Sequence, residues 1–279
     1  MLSIAVVLTA VMSIQDPSQA QGLSGKSDTA IVRQPFDPKK WKLAWNDEFD
    51  VPGLPNSSRW DYEEGYIRNN EAQYYTKGRK ENARVEGGKL IINALKDNWN
   101  GKPITSASLV TKGKREFLYG RIEARAKIPT GKGTWPAIWT LGTNIGQVGW
   151  PTCGELDILE NVGFDPDRVH ANIHVKTFNH TKGTGKGNNM LVEKPYEGFH
   201  IYALEWYPDR IDFFFDDKKY FTFRKEASYT NAEWPFDKPQ YLILNLAIGG
   251  AWGGAQGIDD SKFPHQYEIE YVRYYEPVK

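Results

Sequence analysis

The sequence predicts an all-β protein, a sandwich or jelly roll of antiparallel strands, from three observations. Short runs of alternating apolar and polar residues recur at intervals of roughly 8–20 residues. Turn chemistry of Gly, Pro and Lys separates them, as at Gly87-Gly88 and over residues 129–133. No stretch sustains the 3.6-residue period of an amphipathic helix. The chain has 279 residues and no linker, fixed-period repeat or low-complexity segment. One large β domain over residues 41–279 is therefore expected.

Residues 2–14 form a short apolar run followed by Ser18-Gln19-Ala20, a small-x-small site. Residues 1–20 thus read as a secretory signal cleaved after Ala20, although no Lys or Arg precedes the run. The run is shorter than the roughly 20 residues of a membrane span. A secreted or periplasmic location follows, with no membrane attachment after signal removal. Residues 21–40 are polar, contain Pro and lack a period, so they read as a flexible lead-in.

The first strand is expected at residues 41–50, followed by a turn with Pro52, Gly53 and Pro55. Residues 68–76 are polar and aromatic without a helical period. Strand candidates follow at residues 89–95, 106–111, 120–128, 135–141, 155–162 and 169–176. Others cover residues 200–206, 210–215, 219–224, 241–247 and 267–275, with connectors at 192–199 and 231–239. Residues 182–189 are rich in Gly and Lys but lack the Gly-Lys-Ser/Thr ending of a phosphate loop, and no helix pattern follows. They read as a surface loop.

Thirty-five basic and 35 acidic residues give a formal net charge of zero. That balance argues against nucleic acid, an anionic membrane or a heavily sulfated polymer as partner. Ten Trp and fifteen Tyr are suited to a wet surface that presents flat rings. The lone Cys153 excludes an internal disulfide framework. A monomer is the default expectation.

Glu155-Leu156-Asp157-Ile158-Leu159-Glu160 carries the chemistry. Alternation is regular from Glu155 to Ile158, then slips by one at Leu159. An undistorted strand would point Glu160 away from Glu155 and Asp157, because five is an odd number of steps. A β-bulge near Ile158 and Leu159 would return all three acids to one face. Two carboxylates of opposed protonation state can cleave a glycosidic bond. Glu155 is assigned as nucleophile, Glu160 as acid/base and Asp157 as the residue that orients and tunes them. Even so aligned, the two glutamates' α-carbons stand on the order of 13 Å apart, and their side chains must close that gap. An exposed acidic face and a calcium site are the alternatives, although such hard-cation sites usually draw on loops.

The same segment resembles the signature of glycoside hydrolase family 16 in its E-x-D-x-x-E form, typical of laminarinase-like members. Further similarity lies in Asn46-Asp47-Glu48-Phe49-Asp50, Asn69-Asn70-Glu71-Ala72-Gln73-Tyr74-Tyr75-Thr76 and Glu81-Asn82-Ala83-Arg84-Val85. Residues 119–127, 133–139 and 244–250 match in the same order, so the resemblance runs from about Trp41 to the C-terminus. It implies a β-jelly-roll sandwich of two antiparallel sheets with an open concave cleft, and retaining endo-hydrolysis of a β-glucan polysaccharide. It also implies cleft aromatics at Trp135, Trp139 and Trp150, and sugar hydrogen bonds from Asn70, Glu123, Arg125 and Asn245. His174 resembles the family's histidine near the acid/base. With His170 and Asn172 it shares one strand face, and one strand cannot wrap a tetrahedral ion by itself. No cofactor is expected for catalysis. Relatives often carry a structural calcium, here matching Glu48, Gly88 and Glu270, with Glu270 where Asp is commoner.

The leading expectation is an endo-β-1,3-glucanase acting on laminarin and extending to mixed-linkage glucans. The alternatives are a mixed-linkage β-1,3-1,4-glucanase, a non-catalytic glucan-binding protein and a transglycosylase.

Overall fold

The computed structural model describes residues 30–278. The expected signal at 1–20 and the lead-in residues 21–29 lie outside the described residues. In chain order the first strands are β1 (Val32–Arg33), β2 (Trp41–Asp47), β3 (Asp61–Tyr62), β4 (Tyr74–Tyr75), β5 (Ala83–Glu86), β6 (Lys89–Ala94), β7 (Thr105–Ser106), β8 (Ser108–Val110) and β9 (Gly120–Lys127). There follow β10 (Thr134–Gly142), the one-turn helix α1 (Ile145–Val148), β11 (Glu155–Val162), β12 (Asp165–His174), β13 (Lys186–Leu191) and β14 (His200–Trp206). The last are β15 (Arg210–Phe215), β16 (Lys218–Arg224), β17 (Gln240–Ile248) and β18 (His265–Pro277).

These strands make the expected all-β jelly-roll sandwich. One sheet has nine strands in the order β1-β16-β15-β14-β9-β18-β6-β5, with β2 also on β18. The facing sheet has seven, in the order β13-β12-β11-β10-β17-β8-β3. Period-two alternation explains how the layers divide. In β17, Leu242, Leu244, Leu246 and Ile248 enter the main core between the sheets. Tyr241 and Ile243 turn the other way and pack with Ala137, Trp139 and Leu141 of β10. Strands β10 and β17 are therefore apolar on both faces, and the outer face of this sheet becomes the floor of the cleft. None of the described helices is long and apolar enough to cross a membrane.

Two expectations are corrected at the sheet edges. Residues 30–40 of the lead-in are not free of the domain: Val32 and Arg33 pair with Lys219 and Lys218. Phe36 then lies 5.1 Å from the Arg121 guanidinium, which also faces Phe214 at 5.3 Å. A polar, Pro-containing sequence hides this because two ladder residues and one aromatic anchor leave no period. Likewise, residues 186–189 of the expected surface loop belong to edge strand β13, where one neighbour and a wet face permit Gly and Asn.

Candidate active site

The acids sit on β11, and the register of that strand decides where they point. Leu159 pairs with Ile138 and Asp157 with Trp139, consecutive residues of β10, so Ile158 is the extra residue of a bulge. On the other side Asp157 pairs with Asn172 and Glu160 with His170, again two residues against one. Leu156, Ile158 and Leu159 all enter the core, while Glu155, Asp157 and Glu160 line the cleft. Just beyond, the buried Asn161 donates to the carbonyls of Pro166 and Arg168 at 3.0 and 2.8 Å, bridging a second break in the ladder.

The cleft has a volume of about 1000 Å³. Cross-strand rows build its centre. Glu155 stands beside Leu141 and His174, Asp157 beside Trp139 and Asn172, and Glu160 beside Ala137 and His170. Trp150 Nε1 donates to Glu155 Oε2 at 2.7 Å, and Trp135 Nε1 donates to Glu160 Oε1 at 3.0 Å. Asn172 Nδ2 donates to the other oxygen of Glu160 at 2.8 Å. His174 Nε2 lies 3.4 Å from Asp157 Oδ2 and 3.8 Å from Glu155 Oε1.

Burial raises the pKa of all three carboxyls. Repulsion by Glu160 raises Glu155 further, and both glutamates raise Asp157, so protons are shared within the group near neutrality. Glu155 alone is also relieved by the positive charge of Arg68, after the hydrogen bond from Trp150. Glu160 is relieved in turn by the hydrogen bonds from Asn172 and Trp135, and rises to about 7 against about 8 for Glu155. Burial pushes His174 down to about 3, so its imidazole is neutral beside them.

Trp135, Trp139, Trp150, His174 and Asn245 all line the cleft together with the acids. Trp139 Nε1 donates to Asn245 Oδ1 at 2.7 Å, and Asn245 Nδ2 donates to Tyr75 Oη at 2.9 Å. Asn245 therefore fixes the indole of Trp139. Asn70 is not in the lining. It is exposed with φ 53°, and the cleft wall is made by Arg68, Asn69 and Glu71 around it.

Glu123 and Arg125 are corrected outright. They lie on β9 of the nine-stranded sheet, on its outer face, since Ile122, Ala124 and Ala126 fill the core. Glu123 accepts from Arg121 Nε at 2.8 Å, and Arg121 Nη1 donates to Glu205 at 3.1 Å, all three being buried. Glu123→Gln is expected to leave kcat and KM on a glucan unchanged while lowering Tm by about 2–8 °C, since a charge-assisted buried bond is weakened. Unaltered Tm with a raised KM would reverse this placement.

The residues matched to calcium do not fit a dication as arranged. Glu48 accepts from Arg273 Nε and Nη2, both at 2.9 Å, and Glu270 is paired with Arg125. Gly88 offers only backbone in the turn between β5 and β6. Both carboxylates are already neutralised by guanidinium groups, and among the described residues no third acid, His or Cys joins them.

Several lining residues carried no sequence signal. Arg68 stacks over Trp139 at 4.8 Å and pairs with Glu63. Trp252 meets Trp135 edge-on at 5.5 Å and His170 at 4.9 Å. Its loop follows Leu244-Asn245-Leu246-Ala247-Ile248-Gly249-Gly250, so proximity to a matched motif was the available hint. Gly253 explains the loop's closeness: an added Cβ would lie 2.7 Å from the Gly249 carbonyl and 2.8 Å from Trp135 Cβ. Gly253→Ala is expected to displace Trp135 from Glu160 and to lower kcat/KM about 10-fold or more. Initial rates on laminarin measure this, and a wild-type rate would show that the loop does not set the Trp135 position.

A jelly roll whose bulged strand turns three acids into an aromatic cleft defines a glycoside hydrolase, and the chain belongs to glycosyl hydrolases family 16. The sequence profile of that family matches residues 70–273. The chain is 50% identical over 244 residues to the "Beta-glucanase" of Rhodothermus marinus, covering 84% of this chain and 85% of that protein. It is 36% identical to the "Glucan endo-1,3-beta-glucosidase" of Cryptopygus antarcticus, covering 84% and 91%. Its fold is similar to the X-ray structure of the laminarinase from Rhodothermus marinus, with a TM-score of 0.83 and 48% identity, covering 86% of this chain and 98% of that one.

Proposed function

We propose that the chain is a retaining endo-β-1,3-glucanase that hydrolyses internal bonds of laminarin and also accepts mixed-linkage β-glucans. The observation that carries this reading is the bulged strand β11, which aims Glu155, Asp157 and Glu160 into one open cleft walled by Trp135, Trp139 and Trp150. An open cleft admits an internal stretch of polymer, and indole faces match the apolar C–H faces of glucose rings.

In the first step Glu155 attacks the anomeric carbon and the glycosidic C–O bond breaks. Glu160 delivers its proton to the departing oxygen, leaving a glycosyl ester on Glu155. In the second step Glu160, now a carboxylate, takes a proton from water, whose oxygen displaces the ester and restores Glu155. Asp157 accompanies Glu155 through both steps and holds the negative charge of the group to a level the buried site tolerates. The two carboxyls and water balance the reaction, so the reading includes no catalytic cofactor. It also includes a monomer exported to the cell exterior or periplasm, with neither nucleic acid nor a membrane as partner.

The test is product analysis on laminarin and lichenan, with NMR of the first anomer released. The β-anomer, a ladder of oligosaccharides and a faster rate on laminarin are expected. An α-anomer would overturn retention, and a faster rate on lichenan would favour the mixed-linkage reading.

A further inference from the structure

We propose that Glu155, Asp157 and His174 form a preformed three-donor site for a zinc-class divalent cation, whose binding closes the cleft to glucan. Sequence alone placed only His170, Asn172 and His174 on one strand, too few directions to enclose an ion. The fold supplies the missing direction, because β11 lays two carboxylates beside His174 of β12.

The donor geometry is suited to a small tetrahedral ion. Zinc binds imidazole nitrogen and carboxylate oxygen at roughly 2.0–2.2 Å, so two donors on a tetrahedron stand about 3.4 Å apart. His174 Nε2 is 3.4 Å from Asp157 Oδ2 and 3.8 Å from Glu155 Oε1, and one ligand atom from each residue falls within 4.8 Å of the others. Asp157 Oδ2 has no hydrogen-bond partner although Asp157 is only 2% exposed. The contact with His174 is thus close without being an aligned hydrogen bond, and this buried oxygen faces the imidazole, while the Asp157 carboxyl also shares a hydrogen bond with that of Glu155. Trp150 holds the opposite oxygen of Glu155, leaving Oε1 turned toward the histidine.

Three protein donors leave the fourth position of the ion open to the cleft, where water would complete it. His180, whose ring centre is 5.0 Å from that of His174, lines the same wall. An imidazole donor favours zinc or cobalt over calcium or magnesium, which prefer all-oxygen shells. Because Glu155 would be both nucleophile and ligand, a bound ion and a bound glucan exclude each other. Only this exclusion rests on the glucanase reading.

Calorimetric titration of the full chain with zinc sulfate tests the site, with cobalt absorption as a second readout of a low-coordinate nitrogen-containing shell. One ion per chain is expected, with no comparable calcium binding. His174→Gln should weaken it by more than about 100-fold, beyond what an outer-shell partner is worth. His200→Gln, remote from the cleft, should leave it intact, and Asp157→Asn serves as a second ligand variant if His174→Gln does not fold. Absence of zinc binding, or equal affinity in folded His174→Gln or Asp157→Asn, overturns the site. Laminari-oligosaccharide should lower the apparent zinc affinity. Site-specific binding without that competition would keep the metal site and overturn its link to glucan.

Discussion

Glu155→Gln is expected to abolish laminarin hydrolysis, by more than about 10⁴-fold in kcat, while laminari-oligosaccharides still bind. The amide keeps the shape and can still meet the N–H of Trp150, but it cannot form the glycosyl ester. Binding persists because Trp135, Trp139 and Asn245 stand on neighbouring strands and do not depend on Glu155 for position. Kinetics together with calorimetry of oligosaccharide binding check both halves. Activity within 100-fold of wild type would remove Glu155 from the nucleophile role.

Glu160→Gln is expected to cost about 10²–10⁴-fold on laminarin and much less in glycosylation by a substrate whose leaving group needs no proton. Burial raises Glu160 to about 7, opposed by the hydrogen bonds from Asn172 and Trp135. The wild-type kcat/KM should therefore fall as pH rises past about 7, and this limb should vanish in the variant. A stability effect accompanies it. Because the folded pKa lies above the unfolded value near 4.5, the folded state holds a proton that the unfolded state has lost between those pH values. Stability drains away as pH climbs through that window, and Glu160→Gln removes the loss. At pH 8 the variant should melt several degrees above wild type, on the order of 2 kcal/mol, and at pH 4 the two should nearly coincide. Equal melting at pH 8 would contradict the strained carboxylate.

The comparison of sequence with structure turns on which signals are local. The bulge was legible because period-two alternation slips visibly at Leu159, and a face mismatch of one residue has one economical remedy. Trp135, Trp139 and Asn245 were legible through their motifs, and Trp150 only through its place between two of them. Glu123 and Arg125 went wrong for a physical reason: on a strand whose inner residues are small and apolar, either outer face of a sandwich accepts alternating charges. Only the order of strands shows that β9 belongs to the far sheet, and this is a property of pairings over 70 residues or more in sequence. Arg68 and Trp252 were missed because loops leave no period, and their value lies in neighbours on other strands. The position of residues 30–40 rests on one aromatic side chain meeting a buried cation, which composition does not encode.

The bulge at Ile158 has a further consequence, best put as a reading frame. A strand is read two letters at a time, one toward the core and one toward the cleft. Ile158 is a single-letter insertion, and both neighbouring strands absorb it, so the frame downstream is restored for Glu160 rather than lost. Removing Ile158 would also leave the acids in frame, as Glu-Leu-Asp-Leu-Glu, with one core side chain fewer and a regular ladder. Adding a second letter between Asp157 and Glu160 makes the count from Glu155 six, again even, so a regular ladder keeps Glu160 toward the cleft but sets one apolar residue between it and Asp157. Length changes in this strand are thus quantised by parity: one loss and one gain both dispense with the bulge, but only the loss keeps the three acids on successive cleft-facing positions.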